Sequence, residues 1–135
     1  MRGPLIIILL AAILLLGCSQ QEVNYPARNF PEGLLHEESA IAEGKELFAR
    51  HCASCHGHPG EGRSERADFF QPPAPDFLNA SYATMDPAYL YWRIEEGKNA
   101  EPFGSRGSVM PAWGMHLDEK TIWSLVAYLR HRAGG

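Results

Sequence analysis

Residues 52–56 read Cys-Ala-Ser-Cys-His, and no other stretch of the chain is as specific in residue type and spacing. Two thiols three residues apart lie on one side of a helical turn. Both can therefore reach the two vinyl groups along one edge of a porphyrin and form thioethers. A histidine directly after the second thiol can turn beneath the ring and ligate its iron. The spacing thus predicts covalent attachment of haem at Cys52 and Cys55, with His56 as the proximal iron ligand. Two other uses of such a pair fit less well. A thioredoxin-like redox pair wants a βαβ setting that the flanking pattern lacks, and a structural zinc site wants a second pair of ligands at matching spacing. His51 and His58 stand too close to the cysteines for a regular tetrahedron.

The second axial position decides what such a haem does, because a six-coordinate iron transfers electrons with little rearrangement whereas a vacant position invites small-molecule chemistry. Met85, Met110, Met115 and the remaining histidines are the candidates. Met110 is the best placed. It stands in Ser-Val-Met-Pro-Ala-Trp-Gly (108–114), and Pro111 biases it towards extended backbone on an irregular segment that can cross an open haem face. Met115 is the runner-up. Met85 reads as core packing, and His36, His51, His58, His116 and His131 read as solvated.

Helices must hold these groups. Ser39 is a suitable N-cap for a helix in which Ile41, Gly44, Phe48 and Cys52 fall on one face, so that the helix delivers the Cys-x-x-Cys-His motif at its end. Four prolines and three glycines between Gly57 and Tyr82 predict a loop, and a loop that long in a small domain needs a ligand to organise it. Asp86-Pro87 supplies an N-cap and first-turn proline for a helix reaching Glu96 and stopped by Gly97. Glu95 and Glu96 are unfavourable at that helix's C-terminus, and the sequence offers no account of them. Asp118 caps a last helix in which Ile122, Leu125, Val126 and Leu129 follow the i, i+3, i+4, i+7 pattern. No strand pattern or internal repeat is present, so the fold class is all-α.

The N-terminus carries its own signals. Leu5 to Leu16 form an unbroken apolar run after Arg2, too short to span a bilayer and of the length of a signal-peptide core. Leu-Leu-Gly-Cys (15–18) matches the lipobox of bacterial lipoprotein precursors, which implies cleavage before Cys18 and acylation of that residue, a stable anchor when several acyl chains are present. The expected organisation is a signal peptide over 1–17, a lipidated tether over 18–38 that lets the rest pivot, and one haem domain over 39–135. A chain of 135 residues has room for one core. Its net charge is −4, and removing residues 1–17 takes away Arg2 and no acid, so the exported part is more acidic still. An acidic surface excludes nucleic-acid binding, which needs a basic stripe, and suits a partner with a positive docking patch.

Cys52-Ala-Ser-Cys-His-Gly57, Met110-Pro111 and a closing helix with Trp123 and Tyr128-Leu129 together resemble the class I cytochrome c family, over roughly residues 39 to 131. The resemblance implies a small domain of three to four helices around one haem c, with the first and last helices crossing where Gly44 and Phe48 meet Leu125 and Tyr128. Gly60-Glu-Gly62, the segment Pro72-Pro-Ala-Pro-Asp-Phe77 and Tyr91-Trp-Arg-Ile-Glu-Glu-Gly97 are similar to monohaem cytochromes and cytochrome domains attached to bacterial respiratory complexes. That likeness implies a proline-segment carbonyl offered to the free N–H of His56, without saying which proline, and places Trp92 and Arg93 facing the haem propionates.

The expectation is an electron carrier without substrate chemistry of its own, lipid-anchored at Cys18 on the extracytoplasmic side of a bacterial membrane, with redox proteins or a membrane respiratory complex as partners. The alternatives are a fixed haem subunit of a membrane oxidoreductase complex, or a haem enzyme or gas sensor if Met110 leaves the sixth position open.

Overall fold

A computed structural model describes residues 23–31 and 33–134. Cys18, with the expected signal peptide, lies outside the described residues. Within them the chain is helical and contains no strand: α1 (Glu38–His51), α2 (Ala53–His56), α3 (Ser81–Thr84), α4 (Pro87–Glu96) and α5 (Glu119–Gly134), with short 3₁₀ turns at Leu34–His36, Ala67–Phe69, Gly97–Asn99 and Trp113–Met115.

The central element is α5. Every residue from Ile122 to Leu129 is buried, well beyond the single stripe that its pattern predicts. The reason is that α1, α3, α4 and the 3₁₀ turn at 34–36 all pack against it. A helix with partners on several sides has no solvent face over those turns.

Its closest partner is α1, and the approach runs through Gly44. A Cβ at Gly44 would stand 2.0 Å from the Ser124 carbonyl oxygen and 2.8 Å from Tyr128 Cβ, so the two backbones touch where only glycine fits. One turn on, Phe48 is 1 % exposed with its ring 5.4 Å from that of Tyr128, as the expected helix pairing requires. The Ser124 hydroxyl, fully buried, donates to Glu43 at 2.8 Å and thereby remains satisfied beside the contact.

Local signals mostly place the ends. The Asp86 carboxylate accepts from the Ala88 amide at 2.9 Å with Pro87 behind it, and the Asp118 carboxylate accepts from the Thr121 amide at 2.8 Å. The start of α1 differs: the helix begins at Glu38, and Ser39 spends its hydroxyl as a donor to the Glu37 carboxylate, so it caps no amide.

The stretch expected to be a free tether requires a larger correction. Residues 23–31 and 33–37 lie on the domain. Tyr25 stacks on Trp92 with centroids 5.9 Å apart and donates to Asp86 at 2.7 Å. Arg28 pairs with Glu95 at 2.5 Å and sits 4.4 Å from the Tyr91 ring centre, Phe30 packs against Trp123 at 5.5 Å, and Leu35 is buried. Such a strap has no sequence period because each anchor is a single side chain meeting a different partner. It also accounts for Glu95, whose charge is matched by Arg28 across 67 positions of sequence.

Gly44→Ala is expected to lower stability by about 2 kcal/mol through overpacking, seen as a drop in Tm of roughly 10 °C for a domain of this size. Gly62→Ala, whose added Cβ meets nothing within 4 Å, is the control and should change stability by less than about 0.5 kcal/mol. Thermal denaturation of both variants checks the helix crossing.

Candidate functional site

α1 ends at His51, and α2 follows with Cys55 and His56 in it and Cys52 at its cap. The turn ends at Gly57, whose φ of +82° and whose approach to the Gly62 carbonyl exclude a side chain. Cys52, Cys55 and His56 together line one wall of a cavity of about 270 Å³. The loop 57–80 supplies Phe70, Pro72, Pro73, Ala74, Pro75 and Phe77 to the lining, α4 supplies Leu90, Arg93 and Ile94, and the segment before α5 supplies Val109, Met110, Pro111 and Trp113. The long loop therefore wraps a cavity, as its composition predicts.

Both cysteines are unpaired, and burial first, with Cys55 second, pushes the Cys52 thiol up to about 12. A thiol held neutral is a poor redox nucleophile, which weighs against the redox use of the motif, and among the described residues no group of three His, Cys, Asp or Glu is clustered for a metal ion. His56 moves the other way. Burial lowers it to about 4, the Pro75 backbone partly opposes that, and the charges of Arg132 and Arg93 add to the lowering. At neutral pH the ring is therefore uncharged, with a nitrogen lone pair free for a metal. Its Nδ1 is buried and makes no hydrogen bond in this arrangement. Pro75, whose backbone acts on the ring without reaching bonding geometry to Nδ1, is the proline-segment residue placed to complete that bond.

Of the three described methionines, Met110 alone lines the cavity. Met85 packs against the core, and Met115 is 82 % exposed. Met110 is fixed through its backbone. The Lys98 amide donates to the Met110 carbonyl at 2.7 Å, and Gly97, at φ +51°, is where the segment passes closest: a Cβ there would stand 2.0 Å from the Pro111 oxygen and 2.6 Å from the Met110 oxygen. Gly97 stops α4, as its sequence implies, and the same missing side chain admits the methionine segment.

The structure separates the expected pair of Trp92 and Arg93. Trp92 is buried among Tyr25, Tyr89 and Phe103, outside the cavity lining, so it serves the core and the strap. Arg93 lines the cavity. It donates to the Gly97 carbonyl at 2.7 Å, lies 3.9 Å from the Phe103 ring centre, and brings Nη2 to 4.0 Å from Met110 Sδ, the outer limit of a weak sulfur contact. It is the one acid or guanidinium side chain among the lining residues, which include no carboxylate.

The residues fit a haem c. An apolar cavity offers two thiols, a neutral buried imidazole with an unsatisfied Nδ1, a thioether on a separate segment and one cation, matching vinyl groups, iron and anionic propionates in turn. Three residues near the site escaped the sequence reading. Tyr82 and Tyr89 line the cavity from outside any motif. Arg132, at helical spacing from Tyr128 and Leu129 on the buried face of α5, could have been suspected from that spacing alone.

Gly97→Ala should leave haem attachment intact but displace Met110. The expected result is loss of the weak charge-transfer absorption of sulfur-ligated ferric haem, with the band kept in Gly62→Ala, and visible spectra of the two oxidised proteins check it.

Comparison with known proteins adds the family. Residues 39–129 match the family described as "Cytochrome C oxidase, cbb3-type, subunit III". The chain is 34 % identical over 96 residues to the cbb3-type cytochrome c oxidase subunit FixP of Azorhizobium caulinodans, covering 71 % of this chain and 28 % of that protein. It is 32 % identical over 100 residues to the subunit CcoP of Azospirillum brasilense (73 % and 30 %) and 30 % identical over 100 residues to CcoP of Cereibacter sphaeroides (74 % and 30 %). The chain thus spans less than a third of the length of these relatives. The resemblance to c-type cytochromes of respiratory complexes holds, and with two thirds of its length inside the match the chain belongs to the family of the cbb3-type cytochrome c oxidase subunit III.

Proposed function

We propose that this chain is a haem-bearing electron-transfer subunit of a membrane oxidoreductase complex, with one haem c bound through Cys52 and Cys55 and held between His56 and Met110. The observation that carries the reading is the convergence of those four side chains on one apolar cavity, two of them separated by more than fifty positions of sequence. The haem, when bound, supplies one-electron chemistry. The protein's own residues do the rest. His56 offers a neutral ring nitrogen, the Pro75 carbonyl would fix that ring's orientation by accepting from its free N–H, Met110 offers a thioether that favours the ferrous state, and Arg93 would face the haem propionates. The aromatic and proline lining keeps water away. On this reading the subunit relays electrons and leaves substrate chemistry to its partners.

The fixed-subunit reading is preferred over a free shuttle for two reasons. The relatives are named as oxidase subunits, and the strap over residues 23–31 shortens any connection to the membrane. With a lipid at Cys18, only residues 19–22 would separate anchor from strap, a reach of at most about 18 Å. The lipobox supports acylation at Cys18 and hence a place on the extracytoplasmic face of a bacterial membrane. Among the described residues no helix is long and apolar enough to cross a membrane.

Three outcomes test the proposal. Acid–organic extraction should leave haem on the polypeptide, and Met110→Ala should lose the sulfur charge-transfer band and show a lower reduction potential, while Met115→Ala and Met85→Ala keep both. Free extraction of the haem, or a normal spectrum in Met110→Ala, would overturn the cofactor or ligand assignment. Detergent-solubilised membranes, washed with salt, should yield the chain together with the core of a larger oxidoreductase. Recovery as an isolated cytochrome that still reduces added membranes would favour the shuttle.

A further inference from the structure

Arg132 sits in the last turn of α5, 8 % exposed, and the proposed electron relay leaves it without a role. Its Nη1 donates to the Gly57 carbonyl at 3.2 Å and its Nη2 to the Glu61 carbonyl at 2.6 Å, while Nε is buried without a partner. Cζ stands 4.9 Å from the centre of the Phe48 ring, and that ring is 6.2 Å from the His56 imidazole. Carbonyl dipoles and a ring face solvate a guanidinium without neutralising it. Among the described residues ion pairs join Arg28 with Glu95 and Arg63 with Asp68, while Arg132 has carbonyl partners and no paired carboxylate. A guanidinium does not lose its proton in a protein. The interior behind the proximal histidine therefore holds a permanent positive charge with no carboxylate partner, with the Phe48 ring between it and the imidazole.

The net charge of the chain makes this arrangement informative. The protein carries an excess of acids overall, yet its cavity region holds Arg93 on one side and Arg132 behind His56 with no carboxylate lining between them. Burying a charge without a counter-ion is costly, and packing alone does not call for one, since an apolar side chain would fill the same space beside Phe48.

We propose that Arg132 raises the reduction potential of the haem site by holding this charge behind His56. Reduction brings one electron from the redox partner and takes up no proton at a neutral imidazole or a thioether, so the charge of the site falls by one. A nearby cation favours that change, and low-dielectric surroundings strengthen the effect. The arrangement suits a relay whose oxidised form must be a ready electron acceptor. The inference rests on the haem reading given above.

Arg132→Gln and Arg132→Met remove the charge, and Arg132→Lys keeps it. In spectroelectrochemical titrations of the purified haem protein at fixed ionic strength, both neutral variants are expected to shift the ferrous-to-ferric ratio at a given potential at least threefold towards ferric, a fall in midpoint of about 28 mV or more. Arg132→Lys should stay within that margin of the unaltered protein even though it makes fewer hydrogen bonds to Gly57 and Glu61. The charge-transfer band should survive in all three, which separates an electrostatic effect from lost ligation. Equal midpoints in all variants, or an equal fall in the Lys and neutral variants, would overturn the proposal. So would failure of both neutral variants to retain haem while Lys does, since Arg132 would then serve assembly. Haem that extracts from the unaltered protein defeats the haem reading itself, a result distinct from any of these.

Discussion

The contact on which the rest of this molecule depends is the backbone approach of α1 to α5 at Gly44 and Ser124. It joins segments some eighty residues apart, and everything around the site is hung from it. Phe48, one turn beyond the contact, lands against Tyr128, His56 and Phe77 together. From the same crossing α1 runs on to present the cysteines, and α5 runs on to bring Arg132 under Gly57. A side chain at Gly44 would push the helices apart and loosen each of these relations at once.

Glycine performs the same service on the other side of the cavity, where the approach is between a helix end and a loop. Gly97 lets the Met110–Pro111 segment lie against the end of α4, and the Lys98 amide then ties that segment by a hydrogen bond. Both walls of the site are thus set by backbone contacts that exclude water and side-chain freedom alike. Met110 and His56 are brought to one cavity by the two junctions together. A methionine on an irregular segment would otherwise sample many positions and lose entropy on ligating a metal.

Charge is distributed unevenly between surface and interior. Acids outnumber bases over the chain, but the groups that face the cavity and its proximal wall are guanidinium groups with carbonyl and aromatic neighbours. Two arginines away from the cavity find an acid: Arg28 meets Glu95 and Arg63 meets Asp68. The difference matters because an ion pair near the surface is screened and largely self-cancelling, whereas an isolated cation in an apolar setting projects its field onto whatever lies beside it.

The sequence by itself determined the all-α class, the proline-rich loop and the capping of α4 by Asp86, and it singled out the Cys-x-x-Cys-His motif, because each rests on contacts within a few residues. It also singled out Met110 through Pro111, a local backbone restriction, and Gly44 through a family resemblance. Only the tertiary structure decided what lies beyond that range. It placed the Pro75 backbone beside the imidazole, sent Trp92 into the core and Arg93 into the cavity, and gave Arg132 a buried place beside Phe48. It also turned residues 23–31 and 33–37 from a tether into a strap, since Tyr25, Arg28 and Phe30 acquire meaning only when Trp92, Glu95 and Trp123 stand opposite them. Single anchors with distant partners leave no period in the sequence, and their energies exist only once the helices have met.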